Sequence, residues 1–259
     1  MSERPVVFSA SSVNTYLDCH LKWFFAYILN EQGEQSEAQR VGIAVHDYAE
    51  HQLHRFRGSP GGMLTTPYLA PTGIEPLAMV FNRDILRTYR DPVLIEAAFQ
   101  ITVNGIPFSG IIDSVDALPI VPEEHDFPSY WAAEVSGKYP AAYYILRDLK
   151  TTGSRPKAGR YRFNMIGYWL GARELGREPA IMQLDYIVRT QKPYYWPEVV
   201  AAPNEDDIEW FAATLQAVAD GVGRGDYQPT GLGTRVCSYC PHRLICGPFQ
   251  RYNAAQNPL

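Results

Sequence analysis

Arg147-Asp148-Leu149-Lys150-Thr151-Thr152-Gly153 is the stretch on which the reading of this chain turns. Tyr143 to Lys150 has the composition of a strand, and side chains alternate along a strand. Asp148 and Lys150 therefore point the same way, while Leu149 points into the opposite layer. An acid and a lysine side by side at a strand end suit phosphodiester chemistry. The carboxylate holds a hard divalent cation, and the ammonium orients attacking water or offsets phosphate charge. The same D-x-K triplet is also an ordinary ion pair on one sheet face, and short patterns of this kind are common.

The segments around it place that strand in a sheet. Val93 to Val103 and Ile106 to Leu118 flank Asn104-Gly105, a strong hairpin signal. Asp113 closes Phe108-Ser109-Gly110-Ile111-Ile112-Asp113 on the return strand, and a charge in so apolar a run is expected to be paired or metal-bound. Asp116 is the competing acid or a turn residue, and Glu96, between Ile95 and Ala97, is a lesser candidate of the same kind. Arg160 to Leu175 reads as a helix, and Ile181–Thr190 with Tyr194–Ala201 as a second hairpin. Asn204 can cap a last long helix with Ile208, Phe211, Leu215, Val218 and Val222 on one face. At the start, Ser9, Ser11 or Ser12 can cap one helix carrying Val13, Tyr16, Leu17, Leu21, Phe24, Phe25 and Ile28 at helical spacing. A further helix starts near Gly42 and carries His46 behind the small-residue run Val41-Gly42-Ile43-Ala44-Val45, which permits close packing. A lone helical histidine is more often structural than a ligand. Glu31–Gln39, Gly58–Gly73 and Pro119–Ser129 read as loops. Helices, strands, helix, strands, helix is the order of a mixed α/β or α+β domain with a central sheet.

The chain has 259 residues, 46% hydrophobic and 13% aromatic, enough for an ordered core. Its net charge of −5 gives no global attraction to nucleic acid or anionic membranes, so a nucleic-acid site has to be a local basic patch. Arg155, Lys157, Arg160 and Arg162 form such a run after the D-x-K strand, with Tyr161, Tyr168 and Trp169 as stacking surfaces for single-stranded bases. A solvated loop and helix face explains the same run equally well. No apolar stretch approaches transmembrane length and no Walker-type G-x-x-x-x-G-K-[ST] segment occurs. A cytoplasmic protein without a P-loop motor of its own is expected.

All four cysteines remain to be placed. Cys237, Cys240 and Cys246 read C-S-Y-C-P-H-R-L-I-C, and Cys19 stands alone near the start. Reduced thiols are the rule in the cytosol, which argues against disulfides. Three clustered thiols and a remote fourth suit an iron–sulfur cluster at least as well as zinc, whose ligands usually come in two separated pairs. Unligated cysteines remain the bland reading, and His242 inside the triad is expected to be solvated.

Gly42 to His46, the Gly110-Ile111-Ile112-Asp113 strand, Asp148-Leu149-Lys150-Thr151 and the split cysteine set together resemble the iron–sulfur branch of the RecB-like PD-(D/E)xK nucleases. That branch includes CRISPR-associated RecB-like exonucleases and the AddB nuclease domain. The resemblance runs from about Ser9 to Pro248. It implies one nuclease domain over 1–259 of the α/β class, with a restriction-endonuclease-like core in which a central mixed sheet is flanked by helices: a helical part (1–60), a sheet core with the active site (90–202) and a C-terminal helix with the cysteine triad (203–259). It implies that His46, Asp113, Asp148 and the Leu149 backbone carbonyl bind Mg²⁺ or Mn²⁺, with Asp113, Asp148 and Lys150 catalytic. The imidazole of His46 is a softer donor than a carboxylate, so Mn²⁺ is expected to support activity better than Mg²⁺. Cys19, Cys237, Cys240 and Cys246 would hold a 4Fe–4S cluster joining the two ends of the chain. The family's Gln-x-x-x-Tyr motif falls on Asn164-Met165-Ile166-Gly167-Tyr168, with asparagine in place of glutamine; residues four apart share a helix face, so both can point at substrate. Cys19 is followed by His20 where the family often has proline, and Pro119–Tyr139 is longer than the family's spacing between its acidic strands.

The implied activity is a metal-dependent DNA exonuclease acting on single strands or duplex ends, with protein partners in DNA recombination, repair or CRISPR adaptation. A DNA-binding or assembly subunit with a weak nuclease centre, and an iron–sulfur redox protein with incidental acids, are the competing classes.

Overall fold

The computed structural model describes residues 6–31, 33, 35–59, 69–119, 142–157 and 159–256. Nearly all of the Pro119–Ser129 loop and the long spacer running to Tyr139 fall outside them. Contacts divide the chain into two compact units. One comprises Met1–Arg40, Gln100–Gly110 and Pro203–Leu259, and the other Val41–Phe99 with Ile111–Ala202.

The second unit carries most of a five-stranded sheet in the order β1-β2-β3-β4-β5. Its strands are β1 (Pro92–Val103), β2 (Ile106–Pro119), β3 (Ala142–Thr152), β4 (Pro179–Val188) and β5 (Tyr194–Ala201). Asn104 (φ 49°) and Gly105 (φ 83°) both take the left-handed conformation that a two-residue hairpin turn requires. β2 pairs antiparallel with β3, β3 parallel with β4, and β4 antiparallel with β5. A parallel pair needs a crossover, and helix α5 (Arg162–Glu174) supplies it. The sheet is thus mixed, as the resemblance implies.

Helix α3 (Glu37–Arg57) buries Val45, Tyr48, Ala49, Gln52 and Leu53, the spacing of a single helix face. Leu149 of β3 and Ile187 of β4 join that face in one core. Phe81 and Ile85, from the irregular helical run that starts with α4 (Glu75–Val80), complete it. Leu149 therefore points away from Asp148 and Lys150, as strand alternation requires. Asp116 is no turn residue. It lies fully buried in β2, where its carboxylate accepts the N–H of Arg90 (3.0 Å) and Asp91 (2.7 Å) and fixes the entry to β1.

In the first unit, Ser9 rather than Ser11 or Ser12 caps helix α1 (Ala10–Asp18), in a box closed by Ser12. The single long first helix does not form. Cys19 takes extended backbone angles (φ −168°, ψ 119°) between α1 and α2 (His20–Trp23), and a π-helical turn follows at Phe24–Ile28. The break is compensated by new partners: His20 N–H donates to Thr230 Oγ1 (3.1 Å) and Leu21 N–H to the Gln228 carbonyl (3.1 Å). Leu17 and Ile28, expected on the buried stripe, are about half exposed in consequence. Helix α6 (Glu205–Gly223) starts in a capping box at Asn204 and buries Phe211, Leu215 and Val218 as expected. The short helices α7 (Arg235–Ser238) and α8 (Gly247–Gln256) end the described chain.

Candidate active site

The register of β2 and β3 runs from Pro119↔Ala142 to Ser114↔Arg147, which puts Asp113 and Asp148 just past its end. There the Leu149 N–H, which a continued ladder would pair with backbone, instead donates to Asp113 Oδ2 at 2.8 Å. The side chain of Asp113 is thereby locked beside β3. His46 approaches from α3, its Nδ1 3.4 Å from Asp113 Oδ2. Gly42, one turn earlier, is what lets the helix come this close, because a Cβ there would sit 3.3 Å from Thr151 Oγ1 at the end of β3. The small-residue run before His46 thus has a packing reason.

Glu96 completes the group. Donor atoms of His46, Glu96 and Asp113 lie within 4.8 Å of one another, all three partly buried. Glu96 reaches them from a strand position with φ 45°, a strained angle for any residue with a side chain. Sequence gave Glu96 little weight because nothing in Ile95-Glu96-Ala97 announces a backbone reversal. Strand alternation would have been the wrong guide here.

Asp148 and Lys150 stand next to this group as a tight pair, Nζ to Oδ1 2.6 Å. Asp148 is almost fully buried, and its Oδ2 has no hydrogen-bond partner among the described residues. Burial pushes its carboxyl up to about 6; Lys150 opposes that shift and the neighbouring charge of Asp113 adds to it. Glu96 is pushed up to about 7, by burial first and then by Asp113, Glu50, Asp47 and Asp148. Burial works against the charge on Lys150, yet Asp148 and Asp113 hold its ammonium above the ordinary lysine value. A crowd of carboxylates with one orphaned buried oxygen and a histidine at its edge is a donor set that fits a divalent cation.

A folded-state pKa above the unfolded one stabilises the protein at low pH and loses that contribution as pH rises through the folded value. Metal-free protein should therefore weaken between pH about 4 and about 7 on account of Asp148 and Glu96. Mn²⁺ held by these groups would bind only their ionised forms, so any rise in Tm it produced should be larger at neutral pH than at pH about 5. A Tm increment independent of pH, read by thermal melts with and without Mn²⁺, would contradict the site.

The other residues singled out by sequence are distributed around this centre. Asn164 is buried on α5 and hydrogen-bonds Tyr168, whose hydroxyl is pushed up to about 12 by burial and then by Asp148. Arg155 and Arg160 are exposed; the guanidinium of Arg155 lies over the ring of Trp196 and that of Arg160 over the ring of Tyr161. Lys157 is also exposed, whereas Arg162 donates to the Ala201 carbonyl at 2.9 Å. Trp169 cannot serve as a stacking surface, since it is buried and bound through Nε1 to the Pro179 carbonyl (2.8 Å).

In the first unit, Cys19, Cys237, Cys240 and Cys246 line one small cavity of about 20 Å³, with Lys22 and Arg243 also on its wall. Gly231 permits this closure, because a Cβ on it would meet the Asp18 carbonyl and Cys19 Cβ at 3.0 Å. His242 is buried, not solvated: it packs against Phe25 with ring centroids 5.4 Å apart, and burial lowers its pKa.

No helix among the described residues is long and apolar enough to cross a membrane. No curated protein matches the chain. A crystal structure named "Putative exonuclease" from Eubacterium rectale shares the fold, with a TM-score of 0.54 at 13% identity over 86% of this chain and 83% of that one. Residues 7–125 match the family model described as the PD-(D/E)XK nuclease superfamily. That span contains His46, Glu96 and Asp113 and stops before Asp148 and Lys150. In sequence over residues 7–125 this chain is thus similar to the PD-(D/E)XK nuclease superfamily, and its five-stranded mixed sheet is consistent with the core of that superfamily.

Proposed function

We propose that this chain is a divalent-metal-dependent deoxyribonuclease that removes nucleotides from single strands or duplex ends. The observation that carries the reading is the meeting of His46, Glu96 and Asp113 donors within 4.8 Å, beside a buried Asp148 whose Oδ2 lacks a partner. His46, Glu96, Asp113, Asp148 and the Leu149 carbonyl would hold Mg²⁺ or Mn²⁺. Such an ion supplies an activated water and charge stabilisation at a phosphate. The protein's own contribution is positional. Asp113 is fixed by the Leu149 N–H and Lys150 by Asp148, so neither has to reorganise when substrate arrives. The Lys150 ammonium, kept charged, faces the scissile phosphate and offsets the charge gathering there.

The test is hydrolysis of end-labelled single-stranded DNA in Mn²⁺ or in EDTA. Cutting in Mn²⁺ alone supports the reading, and DNA binding with no cutting by the metal-loaded protein overturns it in favour of an assembly subunit.

The same proposal includes a 4Fe–4S cluster on Cys19, Cys237, Cys240 and Cys246. What supports it is their common cavity, walled also by two cations that would balance an anionic cluster. A single tetrahedral zinc with bonds of about 2.3 Å would draw its sulfurs to about 3.8 Å from one another. Among the described residues no three cysteine sulfurs lie within 4.8 Å of one another. The cluster's role would be structural, fastening the α1–α2 break to the C-terminal segment. Anaerobically purified protein should be brown and contain iron. Cys19→Ala should bleach it and lower Tm, and a colourless zinc protein would refute the assignment.

A further inference from the structure

Beyond the cleavage centre, one row of side chains crosses the sheet. Lys150 of β3 is the register partner of Tyr186 on β4, and Tyr186 is the partner of Trp196 on β5. Partners across a ladder share a sheet face, so the three point to the same side, with Trp196 about 10 Å from Lys150 at two strand spacings. Trp196 has its ring covered by the Arg155 guanidinium, 3.5 Å from the ring centroid. The loop that carries Arg155 is fixed to the same strand. Glu198 of β5 accepts the Gly159 N–H (3.0 Å) and the Tyr186 hydroxyl (3.2 Å), and Gly159 has φ 75°, which glycine adopts without strain. Tyr161 closes the row, tilted on Tyr186 and 5.6 Å from Lys150 Nζ.

We infer that Arg155, held over the ring of Trp196, is a phosphate clamp that takes the DNA strand leaving Lys150 across β4 and β5. This rests on the nuclease reading for its substrate. Residues 151–164 contain Arg155, Lys157, Arg160 and Arg162 and no acid, in a chain whose net charge is −5, so the surface matches a polyanion locally where the protein as a whole does not. Among the described residues Arg155 makes no ion pair or hydrogen bond, which leaves its planar set of donors for a ligand. A guanidinium that stacks on an aromatic ring still has its N–H donors at its edge, where they can bind a phosphate with two parallel hydrogen bonds. The spacing from Lys150 corresponds to on the order of two nucleotides of extended strand. Trp196 and Glu198 are positioning residues here; Arg155 alone meets the substrate.

The experiment is a steady-state series on labelled oligodeoxythymidylate in Mn²⁺, repeated across about 50 to 200 mM salt. Arg155→Ala should raise KM about tenfold, by more than it lowers kcat, and should reduce the slope of log KM against log salt by about 0.7, the value of one single-strand phosphate contact. Trp196→Ala should raise KM by a smaller factor, Trp196→Phe should restore most of it, and the Arg155→Ala/Trp196→Ala protein should be no worse than Arg155→Ala. An unchanged slope in Arg155→Ala, or independent multiplicative effects of the two substitutions, overturns the clamp. If the wild type cuts nothing, the nuclease reading has failed, and the slope of oligonucleotide binding in EDTA still decides the clamp. Arg155 is exposed, so its substitution does not threaten folding.

Discussion

Asp113→Ala and Lys150→Met should each lower kcat on single-stranded DNA by at least about a thousandfold, a barrier increase of about 4 kcal/mol, but for different reasons that a second measurement separates. Asp113 is where three functions meet. It shares the donor group with His46 and Glu96, it receives the Leu149 N–H that positions β3, and it supports the charge on Lys150. Its loss should abolish both turnover and the Mn²⁺-induced rise in Tm. Lys150 belongs to no donor group, so Lys150→Met should lose turnover while keeping a Mn²⁺-dependent Tm increment. That increment should be smaller than in the wild type, because the buried Asp148 carboxylate loses the ammonium that opposes its protonation. Glu96→Gln should fall between the two: a weakened metal site, with activity recovering as Mn²⁺ is raised. Equal loss of metal response in the Asp113 and Lys150 variants would remove the division of roles. Full activity in either would remove the site.

Most of this centre could be read in the linear order of residues, because strand alternation and the Asn104-Gly105 turn are local rules. They put Asp148 and Lys150 on one face, Leu149 on the other, and Asp113 on the return strand, and each observed placement follows. Glu96 escaped that logic because its positive φ suspends alternation at one residue, and nothing in its neighbours announces this. The first helix failed for the opposite reason. Its helical spacing is real, but Cys19 sits where a distant loop at Gln228–Thr230 offers hydrogen bonds that outcompete an unbroken helix. Trp169 and His242 were misjudged as accessible because a polar ring atom can be satisfied inside the protein, Trp169 by the Pro179 carbonyl for instance. Partners some two hundred residues away decided the first helix and the burial of His242, and no window of sequence contains them.

Arg147, next to Asp148 on β3, carries the largest expected effect on stability. It points to the side of the sheet opposite Asp148, almost fully buried, and donates from Nε and NH2 to the two oxygens of Asp185 at 2.8 and 3.2 Å. It also donates to Thr88 Oγ1 (2.7 Å) and lies over the Tyr89 ring, 3.9 Å from its centroid. Asp185 in turn accepts from Gln183 and from the Tyr195 hydroxyl, each at 2.7 Å. The network thus ties β3, β4 and β5 to the segment before β1, directly behind the strand that carries Asp148 and Lys150. Asp185→Ala strands a buried guanidinium that cannot shed its proton, so it should destabilise the protein by about 3–5 kcal/mol, measured by urea unfolding. Arg147→Met should cost less, since a carboxyl left alone can take up a proton. Replacing both, as Arg147→Met with Asp185→Leu, should recover much of the loss in stability, because the desolvation penalty of both charges is removed with them. If Asp185→Ala and the double variant were equally unstable, the network would owe its contribution to packing and neutral hydrogen bonds, with no part for the ion pair. Recovery in the double variant would instead isolate the unpaired charge as the cause.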